Sequence, residues 1–596
     1  MTKKGRFLVA AMLTLLMAGQ AFAYELLSGP TGTTYWDKNR AFNGYALYYP
    51  DSGTNTYLLD MQGNLVNIWP GLGNPMLTED GNIFGIYGNR HDYGDLVLMD
   101  WKGKILKTWI APGQEGSPYP DGILSSDGYH KTLFHHDWKI VDKPDGTRSV
   151  FTIARVYRTK EEIAAGGFST GGGKGGGSGL SDTDAILEFD MDGNLIWQWE
   201  FWDRYSQNYK ASGTHYANYT ETPYGKLHIP STKSIGGDAD HCNSIDYNPV
   251  RDEVLINPVA KGSFYVMDHS ITTQQAQGSA GDFIYICGEI SHYNSAYTMV
   301  WIKYTYNADG SIKSASYGKN DSQLKGAHNV QWIDEGLPGE GNFLVFHNAG
   351  DPFNDAGSAV VEINPYTKDA FTFNGPRDYW KTAPYVRQEE AALTVKGFSD
   401  QLVTYFVPSR AYGGYELTGF YSGHISGLQR LPNGNTLVCS GEPGHFFEIT
   451  PTVSTDRTEK LFGRKSDVVW EFVNPYVLPR SNDVKKMQAA IAAGEKPEIP
   501  PYASYLEPIL KKDPNADIIG QIVKHRPAGT DGQVFRCLRY APNFKGFKGK
   551  KRKAQGPLND PKKWGKSFKG FGFGGSITGG AGGVGGGATG GMGTGY

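Results

Sequence analysis

The feature that most constrains this chain is a recurring pair of hairpins. One unit is an apolar strand, a turn with glycine, and a second strand that usually ends in an aromatic residue. It occurs as TYLLDMQGNLVNIW (56–69), DLVLMDWKGKILKTW (95–109), AILEFDMDGNLIWQW (185–199), SFYVMDHSITT (263–273), AVVEINPYTKDAFTF (359–373) and HFFEIT…DVVWEF (445–472). Period-two alternation around D-G or Q-G-N turns is a hairpin signal. A second kind lies between them: GNPMLTEDGNIFGIYG (73–88), HHDWKIV (135–141), HCNSIDYNPVRDEVLINP (241–258), HNVQWIDEGLPGEGNFLVFHNAG (328–350) and HISGLQRLPNGNTLVCSG (424–441). Two successive hairpins form a four-stranded meander, which is one propeller blade. About six such units predict an all-β fold, a six-bladed β-propeller with a small N-terminal β-rich segment. NGYALYY (43–49) and VFRCLRYAP (534–542) are the strands expected to share one blade and close the ring.

Composition agrees. At 596 residues the chain could hold roughly four ordinary domains or one large closed architecture. Charged residues are 20% and aromatics 13%, with 79 Gly and 32 Pro, which suits a turn-rich β chain and disfavours a helical bundle. The net charge of −3 gives no nucleic-acid footprint. One helical pattern, SNDVKKMQAAIAAGEK (481–496), sits in a proline-rich excursion over 475–534.

Residues 1–23 have a basic start (Lys3, Lys4, Arg6), an apolar run from Phe7 to Ala18 and a closing Ala-Phe-Ala, the pattern of a secretory signal peptide. No later stretch approaches the roughly 18 apolar residues of a membrane helix, so no membrane span is expected and the mature protein is assigned to the periplasm or the exterior. Cys242, Cys287, Cys439 and Cys537 lie in the mature chain, where disulfides are permitted in any of three pairings. The propeller is expected over 24–545. Residues 546–596 read as a flexible, disordered tail, basic and then Gly-rich, that leaves surface attachment and homo-oligomer assembly open. GGFSTGGGKGGGSG (166–179) reads as a flexible loop between two strands.

Four of the 14 histidines share a register. His136, His241, His328 and His424 each open the inner hairpin of a blade, and each is followed four residues later by an apolar residue, Ile140, Ile245, Trp332 or Leu428. The first strand of a propeller blade lines the central channel, so these imidazoles are expected to ring one end of it. Converging polar groups in a pocket are a site signature. Imidazoles could ligate a metal, or one could attack an electrophilic sulfur or phosphorus centre while protonated neighbours stabilise the oxyanion.

The segments HHDWKIV, DHCNSIDYNPVRDEVLINP, MDHSITTQQA, HNVQWIDEGLPGEGNFLVF, SGHISGLQRLPNGNTLVCSGEPGHFFEIT and VVWEFVNPY resemble the bacterial aryl-sulfate sulfotransferases, exported enzymes that do not use phosphoadenosine phosphosulfate. The resemblance runs from about 45 to 545. It implies ping-pong transfer of a sulfuryl group from an aryl sulfate donor to a phenolic acceptor through a sulfohistidine, with no cofactor and no metal in the central step. Carried onto this sequence, it implies His424 as nucleophile. His241 and His328 are then the other catalytic histidines, and His136 or its neighbour His135 completes the ring. The sequence departs from the family in FHNAGDPFNDAG (346–357), which lacks an arginine expected shortly after His328. His347 stands near that place as a substitute cation, and Arg410 or Arg430 could reach in from elsewhere. GDFIYICGEISHYN (281–294) also differs from the relatives' pattern. These departures keep a rival reading, a non-enzymatic secreted propeller whose tail mediates assembly or attachment.

Overall fold

A computed structural model describes residues 32–558, apart from short gaps and the longer segments 169–179, 207–226, 289–302, 349–356, 408–419, 475–480, 496–512 and 516–532. The leader at 1–23, Arg410 and the Gly-rich stretch beyond 558 therefore lie outside the described residues, as do most of the loop at 166–179 and of the excursion at 475–534.

Six antiparallel sheets form the blades of a β-propeller. From the channel outward, blade one is Val534–Tyr540, Tyr45–Pro50, Asn55–Leu59 and Leu65–Pro70. Its innermost strand comes from the far end of the chain, pairing Tyr45 with Tyr540 and Leu47 with Leu538, so the expected closure is found. Blades two to five begin with the inner strands Leu72–Leu77, Thr132–Asp142, Cys242–Asn248 and His328–Trp332. Blade six begins with Gly427–Arg430 and carries a fifth, outermost strand, Gly32–Trp36, which pairs with Val468–Val473. The N-terminal β-rich segment is this strand.

Each blade interface has its own core, and strand alternation feeds two cores at once. In blade four, Val254, Ile256, Tyr265 and Met267 pack toward blade three, while Leu255, Phe264 and Val266 pack toward blade five. Both strand faces are buried, which is why these strands read as nearly continuous apolar runs. The outer hairpin turns share one construction. Asp60, Asp100 and Asp190 each accept the backbone N–H groups two and four residues on. Gly63, Gly103 and Gly193 supply the left-handed backbone at φ 79°, 85° and 91°.

Two outer strands differ from expectation. In blade four the fourth strand is Phe283–Gly288, not the residues after Asp268, which turn into the short helix Thr273–Gln277. In blade five Ala359–Ile363 pairs with Leu402–Phe406, reached after an insertion that holds Trp380 and Tyr385. The helical pattern is found as Ser481–Ala492.

The folded body also extends beyond residue 545. Phe547 and Leu558 are buried, Leu65 N–H bonds the Gly556 carbonyl, and Gln555 N–H bonds that of Leu65. This segment lies at the end of the propeller where the inner strands finish. All four cysteines are buried free thiols, so no disulfide is formed among them. No helix among the described residues is long and apolar enough to cross a membrane.

Candidate functional site

The four histidines come together where the inner strands begin. The backbone there is irregular. Pairing is broken by bulges between His135 and Trp138, Cys242 and Ser244, and His328 and Gln331. His136 and His241 hold left-handed φ of 55° and 50°. In blades five and six the residue after the histidine does so, Asn329 at 48° and Ile425 at 52°. The sequence register therefore holds to within one residue. Histidine and asparagine are among the non-glycine residues that tolerate this region, whereas a β-branched Ile425 there is an outlier held by its surroundings.

His136 and His241 meet ring to ring, with centroids 4.9 Å apart. Behind His136, its Nδ1 lies 2.7 Å from His135 Nδ1, and His135 Nε2 lies 3.0 Å from the Asp184 carboxylate. Burial would raise the Asp184 pKa, but His135, Arg155 and the Cys242 N–H together hold it at about 2. His241 donates from Nδ1 to Asp238 at 2.6 Å, and Asp238 also binds Arg155 at 2.7 Å. Burial opposes charge on His241, yet the Asp238 carboxylate outweighs it and raises the pKa.

His328 is different. Its Nδ1 donates to the Gly326 carbonyl and Asn348 Oδ1, both at 2.8 Å, and its Nε2 accepts the Ile425 N–H at 3.1 Å. Burial, joined by the charges of His424 and His241, depresses its pKa to about 3, so it is neutral near pH 7. Asn348 also donates to the carbonyls of Ser422 and Ile425, sewing the 422–426 turn to blade five. Within that turn the His424 side chain is 44% exposed, and its Nδ1 lies 3.8 Å from the buried Glu442 carboxylate. Glu442 is fixed by the Gly423 N–H and by its own N–H to Ser422 Oγ.

The other expected cations are elsewhere. His347 is buried with Nδ1 3.1 Å from the Tyr405 hydroxyl, and burial lowers its pKa to about 3, so it cannot replace an arginine as a cation. Arg430 is at the opposite end of its strand, paired with Glu362 and the Pro338 carbonyl. A guanidinium does stand at the site. Arg536, on the closing strand of blade one, forms a bidentate pair with Asp137 of blade three at 2.9 and 3.0 Å.

Sequence reasoning missed Asp184, Asp238, Asn348, Glu442 and Arg536. Asp238, three residues before His241, was findable from spacing alone. Asn348 and Glu442 both follow the second strand of a blade, a regularity visible once the hairpins are aligned. Asp184 and Arg536 arrive from strands remote in sequence. Among the described residues, no group of three or more His, Cys, Asp or Glu side chains is arranged to hold a metal ion.

No protein-family model matches the chain, and no curated protein matches it. Solved structures do. A protein of unknown function from Bacteroides caccae is 10% identical, with TM-score 0.30, over 72% of this chain and 94% of its own. Streptogramin B lyase is 8% identical, with TM-score 0.26, over 75% and 91%. A putative 6-phosphogluconolactonase from Bacteroides fragilis is 10% identical, with TM-score 0.27, over 73% and 98%. At such values the chemistry has to be read from the site itself.

Proposed function

We propose that this chain is an exported aryl-sulfate sulfotransferase that moves a sulfuryl group from an aryl sulfate to a phenol, with His424 as nucleophile. The observation that carries the reading is the division of labour among the histidines. One is accessible beside a buried carboxylate, one bonds an aspartate that favours its protonated form, and one is kept neutral with both ring nitrogens bonded.

With Glu442 nearest Nδ1 of His424, the proton is favoured on Nδ1 and the lone pair on Nε2, the nitrogen that attacks sulfur. The bond from sulfur to the aryl oxygen breaks, and the leaving phenolate takes a proton from His241. Glu442 balances the charge on the sulfated ring. A phenol then attacks the sulfur and gives up its proton to a base as the sulfur–nitrogen bond breaks, and His424 is released. His328 positions this machinery by holding the Ile425 peptide next to the nucleophile. An aryl oxide is a good leaving group and stacks well on aromatic walls.

The test is intact-mass analysis after incubation with 4-nitrophenyl sulfate and no acceptor. One sulfuryl group, about 80 Da, should add to the protein as 4-nitrophenol is released, as covalent catalysis requires. Folded protein that gains no mass and transfers to no phenol would overturn the proposal.

A further inference from the structure

We infer that Asp184, His135 and His136 form a proton relay that makes His136 Nε2 the base for the incoming hydroxyl group, a role separate from the nucleophile and resting on the sulfuryl-transfer reading above. Two nitrogens 2.7 Å apart, His135 Nδ1 and His136 Nδ1, share one proton. An ionised carboxylate accepts only, so His135 presents Nε2–H to Asp184. A neutral His135 then has its lone pair on Nδ1, which must accept from His136 Nδ1–H. His136 is left with its lone pair on Nε2. The tautomers follow from the hydrogen bonds in sequence, beginning at the carboxylate.

The surroundings fix this order. Asp184 is itself bonded by the Cys242 N–H at 2.7 Å, and its own N–H is held by Asp240 at 2.9 Å. His135 is fully buried and stacks on Tyr93 with ring planes 23° apart. His136 stands at the channel side, against His241 and the ring of Phe535. Its left-handed backbone is a conformation it shares with His241.

In the second half-reaction the acceptor's O–H proton passes to His136 Nε2 while its oxygen electron pair bonds to sulfur. The sulfur–nitrogen bond to His424 breaks, and its electron pair returns to the His424 ring. The proton on His136 Nδ1 can shift to His135 Nδ1, which places the new positive charge beside Asp184. The relay then gives its extra proton to solvent and His241 regains one from solvent, so the cycle closes. Nothing is oxidised or reduced.

The relay has a test that activity alone does not provide. In wild-type protein labelled with 15N-histidine, His136 should show the Nδ1–H tautomer and His135 the Nε2–H tautomer. A His136 resonance in the Nε2–H form overturns the inference whether or not the chain transfers sulfuryl groups. For kinetics, His136→Asn keeps a residue that accepts left-handed backbone. The variant should still load from 4-nitrophenyl sulfate, whose phenolate leaves without a proton, and the comparison is made on the loaded protein. It should then unload about 100-fold more slowly to phenols that are protonated at the assay pH, and near the wild-type rate to a phenol already ionised there. An equal loss with both acceptors means a merely structural role and overturns the base assignment, as does no loss with either. Asp184→Asn should shift the His136 tautomer signature and reproduce the acceptor dependence in milder form. A wild-type protein that never loads instead overturns the sulfotransferase reading and leaves the tautomer measurement to decide the relay.

Discussion

Ile425 donates its backbone N–H to Nε2 of His328 at 3.1 Å, so the buried histidine of blade five spends its lone pair on the loop that carries His424. A nitrogen so engaged is a poor nucleophile. The sulfuryl adduct should therefore map to the peptide containing His424 and never to that containing His328. His424→Ala should abolish both the adduct and turnover. His328→Ala should lower transfer and destabilise the fold by about 1–3 kcal/mol, because Ile425 N–H and Asn348 lose a buried partner. Peptide mapping and urea denaturation check these outcomes.

The state of His241 is set by Asp238. Its pKa is raised in the folded protein, so the acid form needed by a poor leaving group is present below that value and is lost as pH rises through it. Asp238→Asn should move the alkaline limb of the pH–rate profile to lower pH. The loss should be large for phenyl sulfate and small for 4-nitrophenyl sulfate, whose phenolate leaves without help. Rate profiles with the two donors measure this.

His328 and His347 carry a second pH dependence. Both fall from 6.5 to about 3 on burial. The unfolded chain therefore binds more protons than the folded one below pH 6.5. Their contribution to stability is complete above 6.5 and declines as pH falls toward 3. Two groups give a slope of at most about 2.7 kcal/mol per pH unit. Chemical denaturation at pH 7.5, 6 and 5 should show the decline, and wild-type His328 should not titrate over that range by NMR.

The C-terminal segment separates two deletions. Removing 559–596 should leave the melting temperature unchanged. Phe547→Ala should cost about 3–5 kcal/mol, since that ring packs in the interface of blades one and two. Deleting 545–596 should behave like the core substitution rather than like loss of a tail. If 559–596 attaches the protein to a surface, the short deletion alone should abolish attachment and leave catalysis intact.

Buried thiols make a simple chemical test. Iodoacetamide should label none of Cys242, Cys287, Cys439 and Cys537 in native protein and all four after denaturation without reductant. Fewer than four labels would reveal a disulfide.

Much of the architecture was legible because hairpins declare themselves locally. The D-G and Q-G-N turns mark outer hairpins, and 43–49 and 534–542 are the strands expected to share one blade, where Tyr45 lies opposite Tyr540. The outer strands of blades four and five were not legible. Their third strands end in turns that look like hairpin turns, while the real partners lie beyond insertions. At the site, alternation and spacing located the histidines but not what each nitrogen bonds. Asp184 reaches His135 from a strand 49 residues away, and Asn348 reaches the 422–426 turn from another blade. His347 looked like a spare cation because sequence carries no record of burial.

The closing strand has a consequence for synthesis. Blade one lacks its channel-side strand until residue 540 has emerged, and Gly32–Trp36 waits for Val468–Val473 of blade six. These early strands must therefore wait, unpaired along one edge, while the blades between them and their partners are made. Such a chain stays open and threadable until its last inner strand arrives and closes the ring.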